Sequence, residues 1–332
     1  MISGSRTLLA ADIGGTNARF AAGRVEEDGT VRLSAARSYK GAEFASAEDV
    51  LRAWLAETGM RPDAAAFAAA GPVRGGAVTL TNRDWTFSED SIRAASGART
   101  AHLLNDFAAN ALSLPYLRDD AFVLLDGPPP PPDLWARPDL RVSALGPGTG
   151  LGHAVLLRAR GVVQALDTEG GHVSFAAWDE ETWAVVRAVS ARFGRCSLEN
   201  LASGPGLVTL HAARTGDWDH GLSPRQIEAR ARTEGGEAAR TVALFCRILG
   251  AGAGDLALAV GARCVFIFGG VAGAMADELR AGGFRERFEA KGRFADYMRA
   301  IPTVLAQSPH AGLIGAAAAL KPGASKIVIE EG

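Results

Sequence analysis

The sequence predicts a two-domain α/β protein. The chain has 332 residues, 48% of them hydrophobic and 22% charged, enough for two domains of ordinary size, each with a substantial core. Opening strands give way to an alternation of strand, helix and strand, the pattern of a mixed α/β domain. A strand, a glycine-threonine turn and a second strand also occur together twice, once at the start and once near the middle.

The first such stretch is Leu8-Leu9-Ala10-Ala11-Asp12-Ile13-Gly14-Gly15-Thr16-Asn17-Ala18-Arg19-Phe20. A short apolar run reaches Asp12, and an extended pattern resumes through Phe20, Ala21 and Ala22, so the segment reads as a β-hairpin tipped by Gly14, Gly15 and Thr16. Glycines at a tip let backbone N–H groups approach an anion closely because no Cβ intervenes. Thr16 and Asn17 add side-chain donors, and Asp12 stands where a carboxylate can hold a phosphate-bound Mg²⁺ through water. An ordinary Gly-Gly hairpin beside a solvated Asp fits these residues equally well.

The next elements follow in order. Residues 31–35 suggest a third strand, and 45–59 an amphipathic helix. Pro62-Asp63 leads into a small-residue strand over 64–70 that stops at Gly71-Pro72. A short strand is expected over 78–81, a turn at Asn82-Arg83-Asp84-Trp85, and a helix capped by Ser88 and ended near Gly97. Residues 101–104 read as an apolar strand ending at Asn105-Asp106, with a helix over 107–114. Gly127 and the five prolines 128–132 form the clearest loop, expected to be a stiff, extended and exposed spacer.

Beyond it, a strand over 142–145 enters Gly146-Pro147-Gly148-Thr149-Gly150-Leu151-Gly152 and resumes over 153–157. Residues 238–260 read as one core helix in which Gly250, Gly252 and Gly254 admit a close neighbour. Cys264-Val265-Phe266-Ile267-Phe268 is a buried strand ending at Gly269-Gly270, and 312–320 is a small-residue helix expected to return to the first domain. The expected division is a small α/β domain of residues 1–115 plus 310–332 and a large one of 116–309.

Composition narrows the functional classes. A net charge of −2 offers no electrostatic footprint for nucleic acid or an anionic membrane. Cys196, Cys246 and Cys264 are far apart and odd in number, so neither a disulfide framework nor a zinc site is expected. No signal-peptide pattern opens the chain and no uninterrupted apolar run nears the ~18–20 residues of a membrane span, so a soluble cytoplasmic protein is expected.

Candidate chemistry gathers at a few sites. Asn105-Asp106 stands at a strand end, where active sites of open α/β sheets collect. A carboxylate there can accept the proton of an alcohol undergoing phosphorylation; on the residues alone, a helix cap is the favoured alternative. Glu169-Gly170-Gly171-His172 can bring a carboxylate and an imidazole onto adjacent hydroxyls, although a plain surface turn also fits. Glu199, before Ser203-Gly204-Pro205-Gly206, reads alone as a solvated helix residue. The glycine run from Gly146 fails as a dinucleotide fingerprint, because Leu151 or His153 stands where the last glycine is required. A second phosphate hairpin, with Thr149 as a donor, fits it better.

Taken together, these motifs resemble the bacterial glucokinase family within the actin/hexokinase-type sugar kinases. Asp-Ile-Gly-Gly-Thr-Asn-Ala-Arg is similar to that family's first phosphate loop, followed in the family's order by Asn105-Asp106-Phe107, the Gly148-Thr149-Gly150 loop, Glu169-Gly170-Gly171-His172, Glu199 before Ser203, and Gly269-Gly270. Similarity also touches Ala70-Gly71-Pro72, Thr81-Asn82, Trp85, Gly282-Gly283-Phe284-Arg285 and Lys291-Gly292-Arg293-Phe294, so it runs from about residue 8 to 320. Pro147, the proline loop and Ser308-Pro309-His310-Ala311-Gly312 depart from the family pattern without touching a candidate catalytic position. The cysteine-rich zinc motif of the related repressor/kinase group is absent.

The resemblance implies a ribonuclease-H-like (actin/hexokinase) fold whose active site lies in a cleft between the domains. It implies ATP-dependent phosphorylation of glucose at its 6-hydroxyl, the first step of glycolysis. Asn105, Asp106, Glu169, His172 and Glu199 would hold the hexose, with Asp106 as base. Asp12, Ile13, Gly14, Gly15, Thr16, Gly148, Thr149, Gly150, Gly269 and Gly270 would line the nucleotide, with Mg²⁺ on Asp12 through water. A homodimer is the family's usual assembly. A kinase for another hexose or an amino sugar is the nearest alternative. A non-catalytic sugar sensor would be expected to carry a DNA-binding extension, for which the first strand begins too early.

Overall fold

A computed structural model describes residues 6–330. The chain divides into two compact units, one of residues 1–118, 156–167 and 308–332, the other of 119–155 and 168–307.

The first unit opens with β1 (Thr7–Ile13), β2 (Asn17–Val25) and β3 (Val31–Lys40), followed by α1 (Ala47–Thr58) and β4 (Ala64–Ala69). Short β5 (Ala77–Thr79) and β6 (Thr86–Ser88) pair as a separate ribbon before α2 (Glu89–Ser96), β7 (Thr100–Asn105) and α3 (Asp106–Ser113). Local chemistry sets these limits. Ser46 and Ser88 accept the backbone N–H groups of Asp49 and Ser91 at the starts of α1 and α2, and left-handed Gly59 and Gly97 end the two helices.

The second unit contributes β8 (Phe122–Leu124) and β9 (Arg141–Pro147), then the first half of β10 (Leu151–Ala159); the rest of β10 and all of β11 (Val162–Thr168) but Thr168 group with the first unit. Helices α4 (Glu180–Phe193), α5 (Gly204–Thr215), α6 (Pro224–Thr233) and α7 (Gly236–Val260) follow. After β12 (Cys264–Ile267) come short helices α8 (Gly270–Ala274), α9 (Ala276–Ala281), α10 (Phe284–Glu289) and α11 (Ala295–Arg299), then β13 (Thr303–Ala306). The chain ends with α12 (Ala311–Leu320) and β14 (Ile327–Ile329), both in the first unit.

The first sheet has the order β14-β3-β2-β1-β4-β7, antiparallel across β1, β2 and β3 and parallel across β1, β4 and β7. Its middle strands are covered on both faces, which explains their unbroken apolar sequences. Leu9, Ala11, Ile13, Ala65, Phe67 and Ala69 join the core with Val50, Leu51 and Trp54 of α1. Leu8, Ala10, Ala64 and Ala66 face Leu313, Ile314, Ala316 and Ala317 of α12. Alanine in β4 follows from this close cover. Helix α12 lies so near α3 that a Cβ on Gly315 would overlap the Ala109 carbonyl.

The second sheet has the order β11-β10-β9-β12-β13-β8, with β9, β12 and β13 parallel. Three strands consecutive in the chain, then two that return in parallel after helices, is the order of both sheets. Helix α7 is long and apolar enough by composition to cross a membrane, but it forms the centre of this unit's core, together with α5, α6 and α10. Cβ atoms on Gly250 and Gly252 would overlap the Phe284 carbonyl and the Leu198 side chain, so these glycines admit neighbours as their spacing suggests. The proline loop differs from expectation. Several of its prolines are half-buried, and the loop lines a cavity of about 360 Å³ with Phe122, Trp135 and Phe266. Burial keeps Cys196, Cys246 and Cys264 as free thiols and pushes all three well above the ordinary thiol range.

Candidate active site

In the first unit, strand register aligns the candidate residues. Ile13 of β1 pairs with Ala69 of β4, and Ala69 pairs with Asn105 of β7. The Gly14-Gly15-Thr16 turn and Asn105-Asp106 therefore leave the carboxyl ends of parallel strands at one edge of one sheet, where ligands of open α/β sheets bind.

The turn is held from several sides. Gly14 N–H donates to the Asn17 carbonyl at 2.9 Å, and the Thr16 carbonyl accepts from Gly41 N–H at 2.9 Å. Arg83 donates Nε and Nη2 to the Gly15 carbonyl, both at 3.2 Å, while its guanidinium stacks 4.6 Å from the Trp85 ring centroid. A Cβ on Gly15 would come within 3.0 Å of Asn82 Cβ, so close packing is what calls for glycine here. Ile13 is fully buried, and its carbonyl accepts Ala70 N–H at 3.1 Å.

Asp12 is not a solvated strand-end carboxylate. It lies opposite Arg19 in the hairpin, whose Nη1 reaches its Oδ2 at 3.2 Å. On its other side lies the first turn of α12, where a Cβ on Gly312 would come within 2.6 Å of the carboxyl carbon. Its side chain keeps 21% of its surface open but is otherwise surrounded by protein. That burial raises the Asp12 carboxyl above the usual range, outweighing the pull of the Arg19 charge and hydrogen bond. Among the described residues no cluster of three or more metal-ligating side chains occurs. Asp12 thus fits a Mg²⁺ held mostly by phosphate and water, not an all-protein cage.

Asn105 caps α3: its Oδ1 accepts Phe107 N–H at 2.8 Å and Ala108 N–H at 3.2 Å. Its Nδ2 donates to the Gly71 carbonyl at 3.2 Å. An amide carries two N–H donors, so one remains for a ligand after the cap and this anchor are made. Asp106, the first residue of α3, accepts Phe107 N–H on Oδ1 at 2.9 Å.

In the second unit, β9 and β12 also end side by side, Leu145 opposite Ile267. The Gly148-Thr149-Gly150 loop closes on itself through Gly148 N–H to the Gly150 carbonyl at 2.8 Å. Gly204 N–H, at the start of α5, donates to the Gly148 carbonyl at 2.8 Å. Gly269 takes the left-handed side of the map at φ 101°, and a Cβ there would lie 2.5 Å from the Pro147 carbonyl, so both conformation and space require glycine. Gly270 begins α8.

The Glu169–His172 turn meets β10, the strand that follows the Gly148-Thr149-Gly150 loop. Gly171 packs so tightly that a Cβ would overlap the Leu151 carbonyl, and its own carbonyl accepts Glu199 N–H at 2.8 Å. Glu199 Oε2 in turn accepts Leu151 N–H at 2.8 Å. Glu199 therefore sits in an anchored turn, not in the solvated helix its local sequence suggests. His172 Nε2 lies 3.8 Å from Glu169 Oε2, and His172 Nδ1 lies 3.8 Å from Glu199 Oε1. These separations exceed hydrogen-bond length, so the three side chains converge without satisfying one another. His172 is 57% exposed and Glu199 29%.

A family model described as Glucokinase matches residues 9–322. The chain belongs to the glucokinase family. It is 47% identical over 326 residues to a glucokinase of Caulobacter sp. (strain K31), covering 95% of each chain. It is 42% identical over 322 residues to a glucokinase of Stenotrophomonas maltophilia (strain R551-3), covering 96% of each. Among solved structures, a glucokinase from an Antarctic psychrotroph aligns with a TM-score of 0.83 and 34% identity, over 95% of this chain and 98% of that one. The α/β fold is thus one that a solved glucokinase shares.

Several residues that shape the site of this glucokinase-family chain escape a reading of its sequence. Arg83 gives only a turn signal, although a cation two residues before an aromatic is visible. Arg19 is legible once the hairpin register pairs it with Asp12. Nothing in spacing reveals the buried contacts behind Glu169 and His172.

Proposed function

We propose that this enzyme phosphorylates glucose with Asp106 as general base, in a cleft between the domains of residues 1–115 plus 310–332 and 116–309. The reaction, ATP-dependent formation of glucose 6-phosphate, follows from family membership over nearly the whole chain. The observation that carries the assignment of roles is the alignment of Ile13, Ala69 and Asn105, which puts a phosphate-type turn and an Asn-Asp pair at one sheet edge.

Asp106 accepts the proton of the 6-hydroxyl as that oxygen attacks the γ-phosphorus and ADP departs. Asn105, fixed by its cap and by Gly71, presents its remaining N–H to the sugar. Glu169, His172 and Glu199 supply acceptors and a donor for further hydroxyls, which take up the hydrogen-bonding capacity these groups leave unused. Gly14, Gly15 and Thr16 offer backbone and hydroxyl donors to phosphate from one domain, and Gly148, Thr149 and Gly150 from the other. Gly269 and Gly270 line the nucleotide. Asp12 would hold Mg²⁺ through water, and the ion would neutralise phosphate charge. Closure of the cleft on sugar excludes water that would otherwise hydrolyse ATP. The working assembly is a homodimer.

Asp106→Asn tests the base. The variant should bind glucose by calorimetry near the wild-type affinity while its turnover falls by about 10²–10⁴-fold or more, the range of general-base catalysis. An undiminished rate would remove Asp106 from that role.

A further inference from the structure

Behind the Glu169–His172 turn runs a chain of polar groups within the second unit. His153, on β10, is only 2% exposed, and Ser143, on β9, is fully buried. Ser143 Oγ lies 2.9 Å from His153 Nε2, and Thr168 Oγ1 lies 2.5 Å from His153 Nδ1. Thr168 Oγ1 also accepts Gly170 N–H at 3.1 Å. The Gly170 backbone rests against the ring, since a Cβ there would come within 2.6 Å of His153 Nδ1 and 3.0 Å of Leu256.

With a neutral ring, one proton arrangement satisfies every contact. Gly170 N–H and His153 Nδ1–H donate to Thr168 Oγ1, the Thr168 hydroxyl donates to the His153 carbonyl at 3.4 Å, and the Ser143 hydroxyl donates to Nε2. Burial keeps the imidazole neutral, pulling His153 down to about 4. A hydrophobic residue at 153 would fill the same space in a sheet core without holding Thr168, so the imidazole has a directional task.

We propose that His153 is a positioning residue: through Thr168 it fixes the Gly170 N–H and thereby the directions in which Glu169 and His172 leave the turn. Strand β10 then carries two anchors of the sugar site, because Leu151, two residues earlier, holds Glu199. Both follow directly on Gly148-Thr149-Gly150, so the phosphate loop and the sugar turn share one rigid strand. The inference rests on the reading of Glu169 and His172 as sugar ligands.

The test compares Thr168→Val, which keeps shape and removes the hydroxyl, with Thr168→Ser, which keeps the hydroxyl. Thr168→Val should raise KM for glucose about tenfold, the size of one lost hydrogen bond, with KM for ATP within about twofold of wild type. Thr168→Ser should restore the glucose KM. His153→Leu should act like Thr168→Val, and the double variant should be no worse than either single one, since both cut the same chain. An unchanged glucose KM in Thr168→Val, equal rises for both substrates, or a Thr168→Ser enzyme as impaired as Thr168→Val would overturn the proposal. The Thr168 pair decides the matter even where His153→Leu does not fold. His172→Ala separates the two levels. If it leaves the glucose KM unchanged, the sugar-turn reading falls and this inference with it. If it raises that KM while Thr168→Val does not, only the inference falls.

Discussion

His153 shows how one buried side chain links stability to pH. Its folded-state pKa lies near 4 against an ordinary 6.5, and the groups around it are neutral: Ser143, Thr168, the Gly170 backbone and Leu256. Between those two values the unfolded chain binds a proton that the folded chain refuses, so this residue's contribution to stability is present above about pH 6.5 and falls as pH drops towards 4. By about pH 5 the loss should reach roughly 2 kcal/mol. Urea unfolding at about pH 7 and pH 5 measures it: His153→Gln should weaken the acid dependence by that amount, and an identical dependence in the variant would refute the assignment. At this scale the sequence was most legible where a residue type has a narrow use. Asp12, Asn105, Asp106 and the glycine pairs stand out in one dimension. Whether a carboxylate is solvated or pressed between an arginine and a helix start is decided by chain segments about 300 residues apart, as Gly312 against Asp12 shows.

Elements were legible in proportion to their burial. Helices α1 and α2 carry clear caps, and α7 announces itself by length. Edge strand β11, with no fully buried residue and four of its seven exposed, has no buried apolar run to mark it. Ribbon strand β6 is only Thr86–Ser88 and shares Ser88 with the cap of α2, so the helix signal hides it. Helices α4 to α6 bury Val185, Val189, Leu207, Leu210 and Ile227 in the second core beside exposed polar faces, and only the Ser203–Gly206 start of α5 entered a motif. Helix α7 also yields a prediction whose sign discriminates. In an open helix, Gly→Ala stabilises by about 1 kcal/mol. At Gly250 the added methyl would overlap the Phe284 carbonyl of α10, backbone that cannot swing aside, so Gly250→Ala should destabilise by about 1–3 kcal/mol. A lowered melting temperature checks this, and a raised one would mean that α10 is free to move away.

At the scale of the whole molecule, the repeated strand order explains why the site motifs are spread along the chain. In the first sheet β1 runs into Gly14-Gly15, and in the second β9 runs into Gly148 and β12 into Gly269, so the loops proposed to hold phosphate occur in both sheets, each with residues proposed for the sugar. Sequence conveyed that repetition only through its two hairpins. The pairing of β1 with β4 and β7, and of β9 with β12 and β13, joins segments separated by whole helices and is set by packing. The central claim is that this fold phosphorylates glucose, and ADP release from Mg-ATP tests it most directly. The reaction would be run in parallel with glucose, mannose, fructose, N-acetylglucosamine and no sugar. Strong release with glucose and only background without sugar is the result predicted here. Release with another sugar but not glucose would contradict the assigned substrate, and no release with any sugar, despite sugar binding by calorimetry, would contradict catalysis itself.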